Sequence, residues 1–152
     1  MLLSYRLPRE PSTPRITVWR KLKRLGVAQI SDGLVALPAD PRTREHLDWL
    51  ADDIIEADGT ATVWLAQPTN RQQEHQLATT MADARADEYR AVLAEALRAS
   101  GLPASDRSRM LRKLRAELRR INRRDYFPPP ERQAAVNAVN ALHPDQKEDT
   151  AS

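Results

Sequence analysis

A chain of 152 residues, 41% hydrophobic and 30% charged, has room for one domain, or one small domain with an appendage, and can bury a core without covalent staples. It contains no cysteine, which excludes disulfides, thiolate metal sites, a cysteine nucleophile and thiol redox chemistry. The net charge of +3 conceals segregation: residues 1–26 carry seven bases against Glu10, and residues 40–58 carry seven acids against Arg42 and Arg44, a polarity that can orient a molecule on a polyanion.

In chain order, residues 2–7 read as a short strand that ends at Pro8, followed by a loop holding Pro11 and Pro14. Thr13 as N-cap and Pro14 at the first helical position start helix one, which stops near Leu25 before Gly26. Residues 27–31 and 34–37 form two strands joined at Asp32-Gly33, a hairpin signal. Helix two covers about 42–57, with Leu47, Leu50, Ile54 and Ile55 as its inward set, and ends at Asp58-Gly59. Residues 60–66 form a fourth strand before Pro68. The order strand, helix, strand, strand, helix, strand predicts an α+β fold: a ferredoxin-like βαββαβ domain over residues 1–68.

Beyond Pro68 the pattern is helical, and residues 69–142 form an Arg-rich extension. A long helix over 72–99 carries Leu77, Met81, Tyr89, Val92, Leu93 and Leu97; Ser100-Gly101-Leu102-Pro103 breaks it, which predicts an antiparallel helical hairpin. The basic helix, 106–124, is capped by Ser105 or Asp106. A last helix over about 131–142 precedes a polar tail, 143–152, expected to be disordered.

The basic helix is the most lopsided part of the chain. From Arg107 to Arg124 it holds nine Arg or Lys residues and one acid, Glu117. Met110, Leu111, Leu114, Leu118 and Ile121 recur at three- and four-residue spacing, so at 100° per residue they fall in a sector of about 100°. Solvated helix faces normally interleave acids and bases, which helps the helix. An uncompensated cationic face needs an anionic partner, and nucleic acid is the leading candidate. Helix one adds Arg15, Arg20, Lys21, Lys23 and Arg24, set apart from Val18, Leu22 and Leu25.

Thr17-Val18-Trp19-Arg20-Lys21-Leu22-Lys23-Arg24-Leu25-Gly26, Asp32-Gly33-Leu34-Val35-Ala36-Leu37-Pro38, His46-Leu47-Asp48-Trp49-Leu50-Ala51 and Arg124-Asp125-Tyr126-Phe127-Pro128 together resemble the N-terminal domain of the ChrB family, regulators of bacterial chromate-resistance operons. The likeness runs over about residues 2–130. A more distant likeness exists to the central domain of phenylacetate-catabolism repressors and to CRISPR adaptation nucleases. Typical ChrB proteins continue into a C-terminal domain, so this sequence reads as a short form without it, expected to bind DNA without sensing chromate there or to sense something else. The resemblance implies a DNA-binding transcriptional regulator, with chromate or another oxyanion as the implied effector. A homodimer is expected by analogy with symmetric operators.

The DNA-binding residues on this reading are Arg15, Arg20, Lys21, Lys23 and Arg24 on helix one, and Arg109, Arg112, Lys113, Arg115, Arg119, Arg120, Arg123 and Arg124 on the basic helix. They form a joint phosphate-contacting surface that supplies affinity and register rather than sequence choice. If about six phosphates are neutralised, binding falls on the order of a thousandfold between about 50 and 200 mM salt. No base-reading set stands out; Asn122 has the amide suited to an adenine edge.

Trp19, Trp49 and Trp64 are expected to pack the sheet–helix core, and Tyr126 and Phe127 to staple the end of the basic helix. His46, His75 and His143 have no partner at metal-ligand spacing and read as surface residues, so no metal site is expected. There is no glycine-rich phosphate loop and no nucleophile-elbow pattern. The nucleases of the CRISPR adaptation type use a carboxylate at the end of strand one, where this chain has Arg6-Leu7-Pro8-Arg9. No catalytic residue, no cofactor and no enzyme activity are expected. The first residues reach Arg6 and Pro8 too early for a signal-peptide core, and no apolar run approaches the roughly 20 residues that span a bilayer, so a cytoplasmic protein without a membrane partner is expected. Two alternatives stay open: a protein-interaction module whose basic helix docks an acidic partner or separate sensor domain, and a nonspecific RNA-binding protein.

Overall fold

The computed structural model describes residues 1–147. The chain divides into two compact units, Met1–Met81 and Ala82–Ser152.

The first unit is α+β. Strand β1 (Leu2–Arg6), helix α1 (Thr13–Leu25), strands β2 (Ala28–Ser31) and β3 (Leu34–Ala36), helix α2 (Pro41–Glu56) and strand β4 (Thr60–Trp64) follow one another. The four strands form one antiparallel sheet in the order β2-β3-β1-β4, with Leu3 opposite Val35 on one side and Val63 on the other. Side chains alternate between sheet faces. Leu3 and Val35 point toward the helices and are buried with Val18 and Leu22 of α1 and Leu47, Leu50 and Ile54 of α2. α2 packs on β1 and β4, and α1 packs on α2.

The β2–β3 turn is the expected one. Gly33 takes a positive φ of 73°, which L residues with a Cβ rarely adopt. A Cβ there would also lie 2.4 Å from the carbonyl oxygen of Tyr5, because the turn is held close by the Tyr5 N–H donating to the Gly33 carbonyl at 2.8 Å.

Helix α1 begins at Thr13, so Ser12 rather than Thr13 is its N-cap, and Ser12 makes no side-chain cap bond. Gly26 closes it in the left-handed conformation. On α2 the cap is strong: Thr43 N–H donates to Asp40 Oδ1 at 2.9 Å, and Asp40 N–H donates to Thr43 Oγ1 at 3.1 Å, satisfying two groups at the helix start. Ile55 is exposed rather than inward, since Leu47, Leu50, Ala51 and Ile54 already complete the buried stripe.

The three tryptophans do not pack the core; Trp19, Trp49 and Trp64 are 50%, 58% and 52% exposed. Smaller side chains occupy the inward positions of their elements. On β4 the neighbour Val63 faces the helix side with Leu3, so Trp64 stands opposite Leu2 on the other sheet face, where its indole N–H donates to Ser4 Oγ at 2.8 Å.

Helix α3 (Arg71–Ala99) contains the boundary between the units. The second unit packs its C-terminal part with α4 (Ala104–Arg123) and α5 (Glu131–Asn140). Tyr89, Val92, Ala96 and Ala99 of α3 bury against Leu111, Leu114 and Ile121 of α4 and Ala135 and Val139 of α5, with Leu142 closing the cluster. Leu97 is exposed, off this stripe. α4 starts two residues before the predicted start at 106: Pro103 takes the N-cap position with no side-chain cap, and Ser105 and Asp106 lie within the first turn, where the carboxylate suits the helix dipole. In the tail expected to be disordered, Pro144–Lys147 forms a 3-10 turn; residues 148–152 lie outside the described residues. Among the described residues no helix is long and apolar enough to cross a membrane.

Candidate nucleic-acid interface

The predicted seam of α4 is buried as expected. Leu111, Leu114 and Ile121 are inaccessible, and Met110 and Leu118 line the margin of the same cluster. Arg107 belongs to the seam as well. It precedes Leu111 by four residues and Leu114 by seven, so helical periodicity turns it inward. It is only 6% exposed, and its Nε has no hydrogen-bond partner.

The other bases of α4 point outward, but most have partners. Lys113 Nζ lies 2.6 Å from Glu95 on α3. Arg120 pairs with Glu117 one turn earlier. Arg109 lies 4.0 Å from Asp106, and Arg115 donates to Asn140 Oδ1 at 3.4 Å. Arg124, just past the helix, pairs with Glu88. Three arginines remain: Arg112, Arg119 and Arg123 are exposed and make no ion pair or hydrogen bond among the described residues. At 100° and 1.5 Å per residue these three fall within about 40° of one another, along about 16 Å of helix. The broad cationic face is thus reduced to a narrow stripe of free guanidinium groups.

Glu88 and Glu95 were not visible as partners from α4 alone, because they come from α3 through tertiary packing. The exposed pairs contribute little, about 0–1 kcal/mol each after solvent screening. Their larger effect is to occupy the cations.

The segment after α4 is anchored by its polar residues. Tyr89, fully buried on α3, donates its hydroxyl to Asp125 Oδ2 at 2.7 Å. Burial first, then this hydrogen bond and the charge of Asp125, pushes the Tyr89 phenol well above its ordinary pKa. Arg85 lies 3.0 Å from Glu88 and reaches the Arg124 carbonyl at 3.5 Å. Arg124 and Asp125 thus anchor this segment, and Tyr126 beside them is half-buried, whereas Phe127 is 39% exposed.

On α1 the five predicted bases do not share one face. Lys21 forms a 2.6 Å ion pair with Asp53 of α2. Arg15 stands about 140° around the helix from Arg20 by helical geometry. Its charge offsets part of the upward push that burial and Asp32 exert on the Tyr5 phenol. Arg20 and Arg24 are exposed, with no ion pair or hydrogen bond among the described residues. Lys23 lies over the Trp19 ring, 4.1 Å from its centroid. The α1 set lies in the first unit and the α4 set in the second.

Elsewhere, Asp48 of α2 faces Arg44 at 3.8 Å, and His46 meets Trp49 edge-on with ring centroids 5.8 Å apart. Among the described residues no three His, Asp or Glu side chains come together as a metal-holding group.

A family model described as Protein ChrB, N-terminal, matches residues 15–100, a span that contains all but the first two residues of α1, strands β2–β4 with α2, and the whole of α3. The chain is 34% identical over 132 residues to Protein ChrB of Cupriavidus metallidurans, covering 84% of this chain and 40% of that protein. It thus spans about two fifths of that relative's length. No solved structure matches it. On the strength of the family match and the identity across most of its length, the chain belongs to the ChrB N-terminal family.

Proposed function

We propose that this chain is a non-enzymatic, DNA-binding transcriptional regulator, and that the operon it controls confers resistance to chromate or another oxyanion. Membership of the ChrB family supports the regulatory role, and the chromate link follows from that resemblance. The element order, with sheet order β2-β3-β1-β4 and every pairing antiparallel, supports reading the first unit as a ferredoxin-like domain.

The observation that carries DNA binding is the stripe of Arg112, Arg119 and Arg123. Three guanidinium groups without acidic partners on one line of a helix suit phosphate oxygens, which they engage through a planar donor fork. Such contacts set affinity and position the protein on the duplex. A two-fold dimer is the assembly expected for a symmetric operator.

The test is fluorescence anisotropy of the protein against its own upstream DNA, a scrambled duplex and an RNA duplex at two salt concentrations, with and without chromate. The wild type should prefer the upstream DNA, with affinity falling steeply as salt rises. Combined charge reversal, Arg112→Glu, Arg119→Glu and Arg123→Glu, should abolish binding while far-UV circular dichroism stays unchanged. Undiminished binding by that triple variant would overturn the assignment of this surface.

A further inference from the structure

The outward face of α1 has a composition that phosphate contact does not call for. Ile16 and Trp19 are 47% and 50% exposed on it, while Val18 and Leu22 supply the inward face. At 100° per residue, Trp19, Lys23, Ile16, Arg20 and Arg24 occupy one sector of about 140°, with the two apolar side chains on either side of Lys23. The helix contains no acid. Lys23 lies over the indole of Trp19, a cation–π arrangement that orients the ring, and Arg20 and Arg24 are unpaired among the described residues. A face built only for solvent would not need two large apolar groups, and one built only for phosphates would not need them among the cations.

We infer that α1 is the sequence-reading element of this chain, and that Ile16 and Trp19 pack against thymine C5-methyl groups in the major groove of B-form DNA. This inference rests on the DNA-binding reading. Charge complementarity selects the occupant, because an acid-free helix face with free arginines fits a polyanion. The methyl group of thymine is the apolar feature among the base edges of the major groove, so it is the part of a duplex that an isoleucine and an indole edge can recognise. Size agrees: Ile16 to Arg24 spans about 12 Å of helix, and the groove is about 12 Å wide and admits a helix. Arg20 and Arg24 then lie beside the apolar pair, on its Ile16 side, with donors suited to guanine edges or adjacent phosphates. Exposed Trp19 borders that reading face rather than being a misplaced core residue.

The test exploits uracil, which lacks only the methyl group of thymine. Full-length wild type, Ile16→Ala/Trp19→Ala, and the conservative Ile16→Val/Trp19→Phe are titrated against the upstream duplex, the same duplex with every thymine replaced by uracil, and a scrambled duplex. Wild type should bind the uracil duplex weaker, on the order of tenfold for two lost methyl contacts. The Ile16→Ala/Trp19→Ala variant should bind the thymine duplex no better than wild type binds the uracil one, ignore the uracil substitution and keep its affinity for the scrambled duplex; the conservative variant should restore most of the difference. Circular dichroism checks that each variant is folded. A wild type indifferent to uracil, or a double-alanine variant that keeps the wild-type thymine-to-uracil ratio, overturns the inference while leaving DNA binding in place. A change of mass by light scattering without any uracil effect would instead make this face a protein–protein surface, which also overturns it. A wild type with no preference for upstream over scrambled DNA fails the functional reading itself, and the inference falls with it.

Discussion

α1 and α4 are both rich in bases, yet their cations stand in different company. Of the eight bases on and just after α4 other than buried Arg107, five meet Asp106, Glu95, Asn140, Glu117 or Glu88, and three arginines stay free on one stripe. On α1 one lysine is tied to Asp53, another covers an indole, and two arginines border exposed apolar side chains. The difference teaches that a base's value for an external anion depends on what the fold has already placed beside it. A helix dedicated to phosphates needs only free cations at regular spacing. One that also discriminates bases needs side chains that meet base edges, through hydrogen bonds or through apolar contact with the thymine methyl.

The sharpest way to break this comparison sets free against paired bases on α4. Reversing Arg112, Arg119 and Arg123 should lower DNA affinity by more than about a hundredfold and reduce the salt slope by roughly 2.7, about 0.9 per lost phosphate contact. Neutralising Lys113 and Arg120 to Gln, whose charges are already met by Glu95 and Glu117, should change affinity by no more than about threefold and leave the slope nearly unaltered. Equal losses in the two variants, read by anisotropy across a salt series, would show that intramolecular pairing does not decide which bases bind.

A second prediction tests the frame that carries α1. Gly33→Val forces a β-branched residue into a positive φ of 73° and places its Cβ 2.4 Å from the Tyr5 carbonyl oxygen. The cost should be about 2 kcal/mol or more. All three tryptophans belong to the first unit, so the loss is read as a lower thermal midpoint in tryptophan fluorescence. An unchanged midpoint would mean that the hairpin can relax without disturbing β1.

Much of this architecture is legible in the sequence because it is written in local periodicity. The apolar spacing of Leu47, Leu50 and Ile54 and of Leu111, Leu114 and Ile121 marks the inward faces, and Asp32-Gly33 marks the hairpin. What stayed hidden depends on contacts across the chain. Glu88 and Glu95 neutralise bases 36 and 18 positions away, and no spacing rule within α4 announces them. Arg107 counts as one more surface base until its register with Leu111 and Leu114 is followed to a buried position. The exposed tryptophans escaped for a related reason: size and hydrophobicity argue for the core, whereas strand alternation and helix register put smaller neighbours there. The candidate interface was therefore legible as a list of basic residues but not as the subset left free.

Next in size is the anchor behind α4. Tyr89→Phe leaves the Asp125 carboxylate, whose Oδ1 is already buried without a partner, missing its remaining hydrogen bond from Tyr89. The loss should be about 1–3 kcal/mol. It should also change the alkaline profile. The Tyr89 phenol is raised in the folded protein by burial and by Asp125, so the unfolded chain releases this proton first, near the ordinary tyrosine value of about 10. The contribution is full below about pH 10 and declines as pH rises toward the higher folded value. Denaturant midpoints between pH 8 and 11 should show a smaller alkaline decline in Tyr89→Phe than in wild type; identical slopes would remove Tyr89 as a source of that decline.

The smallest effect concerns Lys21, the α1 base whose charge is already engaged. Its 2.6 Å pair with Asp53 is well formed, yet both side chains are more than 40% exposed, so solvent screening limits the pair to about 0–1 kcal/mol. Lys21→Gln should shift the thermal midpoint only slightly. Because Asp53 already meets this ammonium, removing it should weaken DNA binding less than Arg20→Gln or Arg24→Gln, whose guanidinium groups have no partner among the described residues. Ranking the three single variants by anisotropy at low salt separates the two explanations of α1: if total positive charge governs binding, all three weaken it equally, and if free charge governs it, Lys21→Gln stands apart as the mildest.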